Sequence, residues 1–272
     1  MSSRRISQRH SDTFADAHLI NQDFFGDLLE VLKTLIIDPD LPLMSDAEGG
    51  ESINKVSELP TRTEGRFNLL CVTTAFALLE GQDIAKSASS LGLDLSFFTK
   101  LLYNSLPTLA VDTDIELSAR TARQLHAALS GAAFVDTDQA LQQTSKINVQ
   151  TTIVLLVRAI SAALIPRSSP PLRLAAFTKQ LYAAALQLPE KSSRALLGVL
   201  TQTLKNHSRK LATMWNTEER RCDGVYDPSR SDFEGSNPFA STVWEGELLR
   251  HHFCPKVKEA AKELENIAGS VA

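Results

Sequence analysis

Amphipathic segments bounded by prolines are the feature that most constrains how this chain can fold. Apolar residues recur at spacings of three and four, which is typical of a helix with one buried face. Prolines follow or precede most of these segments and end helices, because proline lacks an N–H and clashes with the preceding turn. No segment alternates convincingly with the period of two that a strand requires. The pattern predicts an all-α protein with helices over 13–37, 66–80, 95–106, 118–129, 148–165, 173–188 and 191–215.

Pairs of such helices predict helical hairpins, and stacked hairpins form an irregular α-solenoid of the HEAT or armadillo kind. No strict repeat period accompanies the pairs, so a compact helical bundle is the alternative. Composition agrees with either architecture. The 43% apolar content allows a sizeable core, whereas only 12 glycines in 272 residues are too few for the turns of a nucleotide-binding sheet.

The chain divides at one stretch of irregular composition. Residues 38–66 are rich in proline, glycine, serine and acids, which predicts a loop or linker. It separates an amino-terminal helical segment (1–37) from a helical-repeat domain (67–272). The most apolar run, 153–165, contains Arg158 and is too short to span a bilayer, so no membrane contact is expected. Three widely spaced cysteines argue against a disulfide framework and for a reducing compartment.

Motifs that would indicate catalysis are missing from the sequence. There is no glycine-rich phosphate loop, zinc-protease helix, paired-cysteine motif or nucleophile elbow. Three pairs of aspartates stand in predicted loops or at helix starts, where capping and turn formation explain them better than acid–base catalysis; they are Asp38/Asp40, Asp112/Asp114 and Asp136/Asp138. The sequence therefore predicts a protein that is not an enzyme and carries no cofactor.

One short stretch could be a metal site. In NPFASTVWEGELLRHHFCPKV (237–257), His251, His252 and Cys254 lie close together, and distant Cys222 could complete four zinc ligands. Adjacent residues on a helix point about 100° apart, however, so the two histidines do not easily face one ion. We therefore predict no metal there.

The same stretch can instead be an anchor that packs one helix on another. Trp244, Leu248 and His252 recur every four residues, with Leu249 and Phe253 beside them, and predict one buried helical face. Pro255 suits the first position of a following helix, where its missing N–H costs nothing. That second helix has a narrow apolar stripe made of Val257, Ala260, Ala261, Leu264 and Ala268. This interpretation is the one we favour.

Positive charge is concentrated in one block. Between residues 158 and 210 there are nine basic residues and one acid, Glu190. Such a cluster could bind RNA phosphates, and a solvated helix face balanced by the acidic segment after it is the alternative. The candidate RNA contacts are Arg158, Arg167, Arg173, Lys179, Lys191, Arg194, Lys205, Arg209 and Lys210.

The end of the chain resembles the terminal signature of the CCAAT-binding-factor family of nucleolar complex proteins. In that family an Asn-x-x-x-Ser/Thr-x-x-Trp-Glu-x-x-x-Leu segment runs into a His-Tyr-His-Pro-like corner. Here GVYDP and an acidic loop precede the matching residues, which are Asn237, Trp244, Glu245, Leu248, Leu249, His251, His252, Phe253, Pro255 and Val257. Upstream, FNLLCVTTAFALLEGQ (67–82) and LSFFTKLLYNSL (95–106) also resemble the family, so the likeness covers most of 67–264.

The resemblance implies a non-enzymatic helical scaffold of the nucleolus and nucleus. Members accompany precursors of the large ribosomal subunit through rRNA processing and nuclear export, with nucleolar complex protein two as a partner. The signature residues would then be structural, and the chain would correspond to the carboxy-terminal half of a member. Some members are linked to the start of DNA replication, so a chromatin- or origin-associated adaptor is the alternative.

Overall fold

The computed structural model describes residues 25–37, 62–80, 95–118, 150–215 and 224–269. Helix α1 occupies 25–37. The other helices, in chain order, are α2 (Arg62–Glu80), α3 (Ser96–Ala110), α4 (Thr152–Leu164), α5 (Pro171–Gln187), α6 (Glu190–Leu211), α7 (Glu245–Arg250) and α8 (Pro255–Gly269). Within these ranges the one extended pairing is an isolated bridge between Ser118 and Thr151. The all-α prediction is confirmed for the described residues.

Prolines set several helix boundaries as expected. Helices α5 and α8 both begin with a proline, at Pro171 and Pro255, and Pro189 directly precedes α6. The prediction that Pro107 ends its helix is wrong, because α3 continues to Ala110. Pro107 is exposed in the last turn of α3, where its ring points to solvent and only one backbone hydrogen bond is lost.

Helix α6 consists of two helical segments joined by a bend. It bends at His207, whose φ of −125° and ψ of 26° are not helical, and a short 3₁₀ turn (Ala212–Met214) follows it. The buried His207 ring lies with Nε2 2.9 Å from the carbonyl oxygen of Leu164. That oxygen belongs to the last residue of α4, so the bend joins α6 to a carbonyl that α4 itself leaves unpaired.

The helices share one apolar core. Helix α4 contacts α2, α3 and α6, which confirms that its apolar surface lies between several neighbours. Helix α5 contacts α3, α6 and α7, and α6 also contacts α8. Phe98, Leu102 and Phe177 are among the fully buried side chains at the centre. Arrangement of these helices as an irregular solenoid or as a compact bundle stays a prediction.

Some predicted segments fall outside the described residues, namely the helix over 118–129, most of the linker over 38–66, and Cys222. Where the linker meets the described chain, its boundary differs from the prediction, because α2 already begins at Arg62. None of the described helices combines the length and apolar character needed to cross a membrane.

Candidate functional site

The stretch 237–257 folds as the predicted hairpin, but its first helix has a different buried face. Helix α7 covers only six residues, and Trp244 directly precedes its first residue without a side-chain hydrogen bond to the helix. The prediction that Trp244 and Leu248 pack inward is wrong, since they are 56% and 50% exposed. Leu249 is buried as predicted, and it shares the inward face with Glu245, four residues earlier. The pair Trp244 and Leu248 and the pair Glu245 and Leu249 both have the i, i+4 spacing of a helical face. The two pairs are offset by one residue, which rotates the face by about 100° around the helix axis.

The second helix of the hairpin matches the prediction. Pro255 begins α8, and its buried stripe contains Val257, Ala261, Leu264 and Ala268, with Ala260 half-buried. This stripe packs against α6, and α7 packs against both α5 and α8. The hairpin is therefore held by Leu249 and the α8 stripe.

The histidines make local hydrogen bonds. Nε2 of exposed His251 lies 3.3 Å from Oε1 of Glu247, four residues earlier. Nδ1 of His252 accepts a hydrogen bond of 3.1 Å from the backbone N–H of buried Cys254. Phe253 is 75% exposed and its ring lies over that of His252. In the ranges that the structure describes, no three His, Cys, Asp or Glu side chains come together as metal ligands would.

A buried ion pair connects the signature segment to α5. Nζ of Lys179 lies 2.7 and 2.8 Å from the two carboxylate oxygens of Glu245, and both side chains are almost completely buried. Nζ also donates to the carbonyl of Thr242 at 2.8 Å and approaches Oγ of Ser241 at 3.4 Å. Burial lowers the pKa of Lys179, while the hydrogen bond and negative charge of Glu245 oppose that shift. An ammonium group has three donors, so this environment satisfies it fully.

Two aromatic rings enclose the same ammonium group. Nζ of Lys179 is 5.0 Å from the centre of the Tyr226 ring and 5.5 Å from that of Trp244, distances at which a cation is attracted to a ring face. The exposed tryptophan is thus held from below by a buried charge. Neighbouring Val225 is 86% exposed, which extends the apolar surface beside the ring.

A pocket of about 560 Å³ opens beside these rings. We call it the Trp244 groove; its walls include Ala183, Leu186, Val225, Tyr226, Pro228 and Trp244, and Glu245 contributes to its lining. Sequence reasoning missed its Tyr226 wall, although the GVYDP motif at 224–228 marked the place. The αL backbone of Asn237 (φ 51°) lies beside Gly224 (φ 108°), and both residue types tolerate such angles. Gly224 and Asn237 lie at the two ends of the loop that carries Tyr226.

The nine candidate RNA-binding residues differ in their exposure and in their contacts within the protein. For Lys179 the prediction is wrong, because its side chain is completely buried against Glu245. Lys210 donates hydrogen bonds of 2.8 Å to the carbonyls of Arg167 and Ser169 and so closes the turn after α4. Half-buried Arg173 stacks over Phe233 at 5.5 Å, and burial lowers its pKa. Exposed members are Arg158, Arg167, Lys191, Arg194, Lys205 and Arg209.

One of the three aspartate pairs lies in the described part of the chain. Oδ1 of Asp112 accepts a hydrogen bond of 3.0 Å from the backbone N–H of Asp114, which is the geometry of an Asx turn. The turn follows the end of α3. The interpretation of this pair as turn-forming is therefore confirmed.

Comparison with known proteins identifies relatives of the chain. The sequence profile of the CBF/Mak21 family matches residues 68–261, close to the 67–264 over which the sequence alone indicated a resemblance. The chain is 30% identical over 249 residues to nucleolar complex-associated protein 3 of Schizosaccharomyces pombe, covering 91% of this chain and 30% of that protein. For the protein of the same name from Saccharomyces cerevisiae, identity is 31% over 248 residues, covering 91% and 33%.

Animal relatives are similar over the same region. The chain is 28% identical over 256 residues to the human nucleolar complex protein 3 homolog, covering 93% of this chain and 24% of the human protein. The chain thus spans a third or less of the length of these relatives.

Proposed function

Because the chain belongs to the CBF/Mak21 family, we propose that it is a non-enzymatic helical scaffold that acts in ribosome biogenesis in the nucleolus and nucleus. Similarity over about nine-tenths of the chain to proteins named nucleolar complex-associated protein 3 is the observation that carries this proposal. The step we assign is assembly of large-subunit precursors, with rRNA processing and nuclear export. Nucleolar complex protein two is the proposed protein partner.

The described polar groups support a scaffold rather than an enzyme. The buried charged pair, Lys179 and Glu245, is satisfied by hydrogen bonds within the protein. His251 and His252 are engaged with their own helix and corner. These contacts stabilise the hairpin.

The Trp244 groove supports a protein-binding role within that scaffold. Trp244, Leu248 and Phe253 are all at least half exposed, and large apolar side chains in such positions are typical of protein interfaces. The Trp244 ring is held by Lys179 beneath it, so little ordering is needed when a partner binds. We propose that an apolar side chain of the protein partner occupies this groove.

Fractionation of cells that express the tagged chain tests the proposal. We expect the chain to co-sediment with large-subunit precursors and to co-purify with nucleolar complex protein two and precursor rRNA. Trp244→Ser combined with Leu248→Ser should release the partner while lowering the melting temperature by only a few degrees. A chain that enriches chromatin and replication factors, with no precursor particle, contradicts the proposal and favours the replication-adaptor alternative.

A further inference from the structure

The exposed face of α6 carries a row of basic residues. A helix turns about 100° per residue, so Lys191, Arg194, Gly198, Gln202 and Lys205 fall within an arc of roughly 80°. All five are exposed, and Arg209 continues the row beyond the bend at His207. The opposite face is buried through Leu196, Leu197, Leu200 and Leu204. We call the exposed row the α6 stripe.

Little of this charge is neutralised by the residues that the structure describes. Among the described residues, Lys191, Arg194 and Arg209 have no carboxylate within ion-pair distance, and Lys205 alone pairs with Glu263 of α8, at 3.5 Å. Both members of that pair are more than half exposed, so water and salt screen their attraction and Lys205 can exchange partners. The α6 stripe is therefore available to an external anion.

The middle of the α6 stripe is a glycine that packing among the described residues does not require. Gly198 lies within a regular part of α6, where glycine weakens a helix relative to alanine. A Cβ atom built at this position meets no atom within 4 Å, so packing in the described part of the molecule does not require glycine. The bare backbone leaves a flat site between two pairs of cations, which suits the close approach of another molecule.

The spacing of the cations points to the shape of that molecule. Arg194 and Lys205 are 11 residues apart, or about 16 Å along the axis, and the whole row from Lys191 to Arg209 measures about 27 Å. A helix that lies lengthwise inside a groove is flanked by phosphates along its sides, whereas a helix that crosses a groove meets phosphates near its two ends. The α6 stripe has its cations at the ends and neutral residues between them.

We propose that α6 crosses the minor groove of duplex RNA. Lys191 and Arg194 contact phosphates of one strand, and Lys205 and Arg209 contact phosphates of the other. The minor groove of RNA is wide and shallow and displays 2′-hydroxyl groups, which suit the exposed amide of Gln202 beside the flat surface of Gly198. The minor groove of B-form DNA is only about 6 Å wide, so a helix that crosses it meets both strands within a shorter length than the roughly 16 Å between Arg194 and Lys205. This inference rests on the proposed role in ribosome assembly.

Binding of the 272-residue chain to a blunt RNA duplex, followed by fluorescence anisotropy over a range of salt concentrations, tests the inference. Lys191→Ala with Arg194→Ala should lower the magnitude of the salt slope by about two, because two phosphates are then no longer neutralised by the protein. Lys205→Ala with Arg209→Ala should do the same. Arg158→Ala with Arg167→Ala is the matched control, because it removes two exposed cations outside the stripe and should leave the slope unchanged.

A neutral substitution separates close approach from simple attraction. Gly198→Gln keeps the charge and favours the helix, but places a side chain between the cation pairs. We expect RNA affinity to fall about tenfold while the melting temperature rises. The inference is overturned if Gly198→Gln leaves the RNA affinity unchanged. It is also overturned if the Arg158→Ala, Arg167→Ala control lowers the salt slope as much as the two stripe variants do.

Competing ligands complete the test. A DNA duplex of the same sequence should bind more weakly than RNA, and equal affinity overturns the minor-groove assignment. Polyglutamate that displaces the RNA duplex at equal charge concentration would instead assign the α6 stripe to an acidic protein. A chain that co-sediments with ribosomal precursors but does not bind duplex RNA disproves this inference alone, whereas loss of co-sedimentation disproves the proposed function.

Discussion

Helices α5 and α6 are neighbours in the same basic block, yet they place their lysines in opposite environments. Lys179 of α5 is completely buried and bonded to Glu245, whereas Lys191 and Lys205 of α6 are exposed on one face. Helix α5 contacts α3, α6 and α7, and it retains little surface for solvent. Positive charge along the sequence therefore does not distinguish a cation that holds the fold together from one that faces a partner.

Removing the buried cation should have the largest effect. Lys179→Met leaves the carboxylate of Glu245 buried without a partner, which costs about 3–5 kcal/mol of unfolding free energy. Urea denaturation at pH 7 measures the change. Lys205→Met on α6 is the matched control and should alter stability by less than about 0.5 kcal/mol, since its ion pair is exposed. Equal urea midpoints for Lys179→Met and Lys205→Met would show that the buried and the exposed lysine contribute equally to stability, which contradicts the prediction.

Replacing both partners sharpens the same comparison. In the double variant Lys179→Met, Glu245→Leu no charge is left buried, and apolar side chains fill a similar volume. Such replacements are often neutral or stabilising, so much of the stability missing from Lys179→Met should be recovered. A double variant as unstable as the single one would mean that the hydrogen bonds of Nζ to Thr242 and Ser241 matter more than the ion pair.

The next largest difference in stability is expected between substitutions on the buried face and on the exposed face of α7. Leu249→Ala removes a fully buried side chain and should cost about 2–5 kcal/mol. Trp244→Ala removes a side chain that is more than half exposed and should cost about 1 kcal/mol. Thermal unfolding of the two variants measures the difference. A larger loss for Trp244→Ala would restore the buried-tryptophan anchor that the four-residue spacing suggested.

Alkaline pH should lower the free energy of unfolding, because α5 buries Tyr182. Burial raises the pKa of Tyr182 well above its ordinary value near 10, and the charges of Glu265 and Glu245 add to that shift. Below pH 10 this tyrosine is neutral in both folded and unfolded chains and contributes no pH dependence. Above it only the unfolded chain ionises, so stability falls by about 1.4 kcal/mol per pH unit.

Tyr182→Phe isolates this effect from other groups that titrate at high pH. The variant should lose less stability than the unmodified chain when urea unfolding is compared between pH 9 and pH 11. Parallel losses in the two proteins would show that Tyr182 ionises equally easily in both states.

The smallest expected effect concerns the exposed face of α6. Gly198→Ala adds a methyl group in open space and reduces backbone freedom in the unfolded chain, so it should stabilise by about 0.5–1 kcal/mol. Differential scanning calorimetry of the free chain provides the measurement. A decrease in stability would show that this face already packs against part of the chain.

Local patterns in the sequence predicted the elements that local chemistry determines. Pro255 and the apolar stripe over 257–268 gave both the start and the buried face of α8, and the apolar run over 148–165 gave α4. The face of α7 was not predictable, because a six-residue helix contains two competing sets with the same spacing. The partner of Lys179 lies 66 residues further along the chain, and no pattern in the sequence indicates that pairing.

The position of Trp244 makes the groove observable without a label. The chain has two tryptophans, and the other, Trp215, is partly buried against the core. Solvent exposure shifts indole emission to longer wavelength, so the red part of the intrinsic fluorescence belongs to Trp244. A partner that covers the ring should shift that emission to the blue, and acrylamide quenching should fall in parallel. The tryptophan at the start of α7 thus serves as an optical reporter of binding in the unmodified protein.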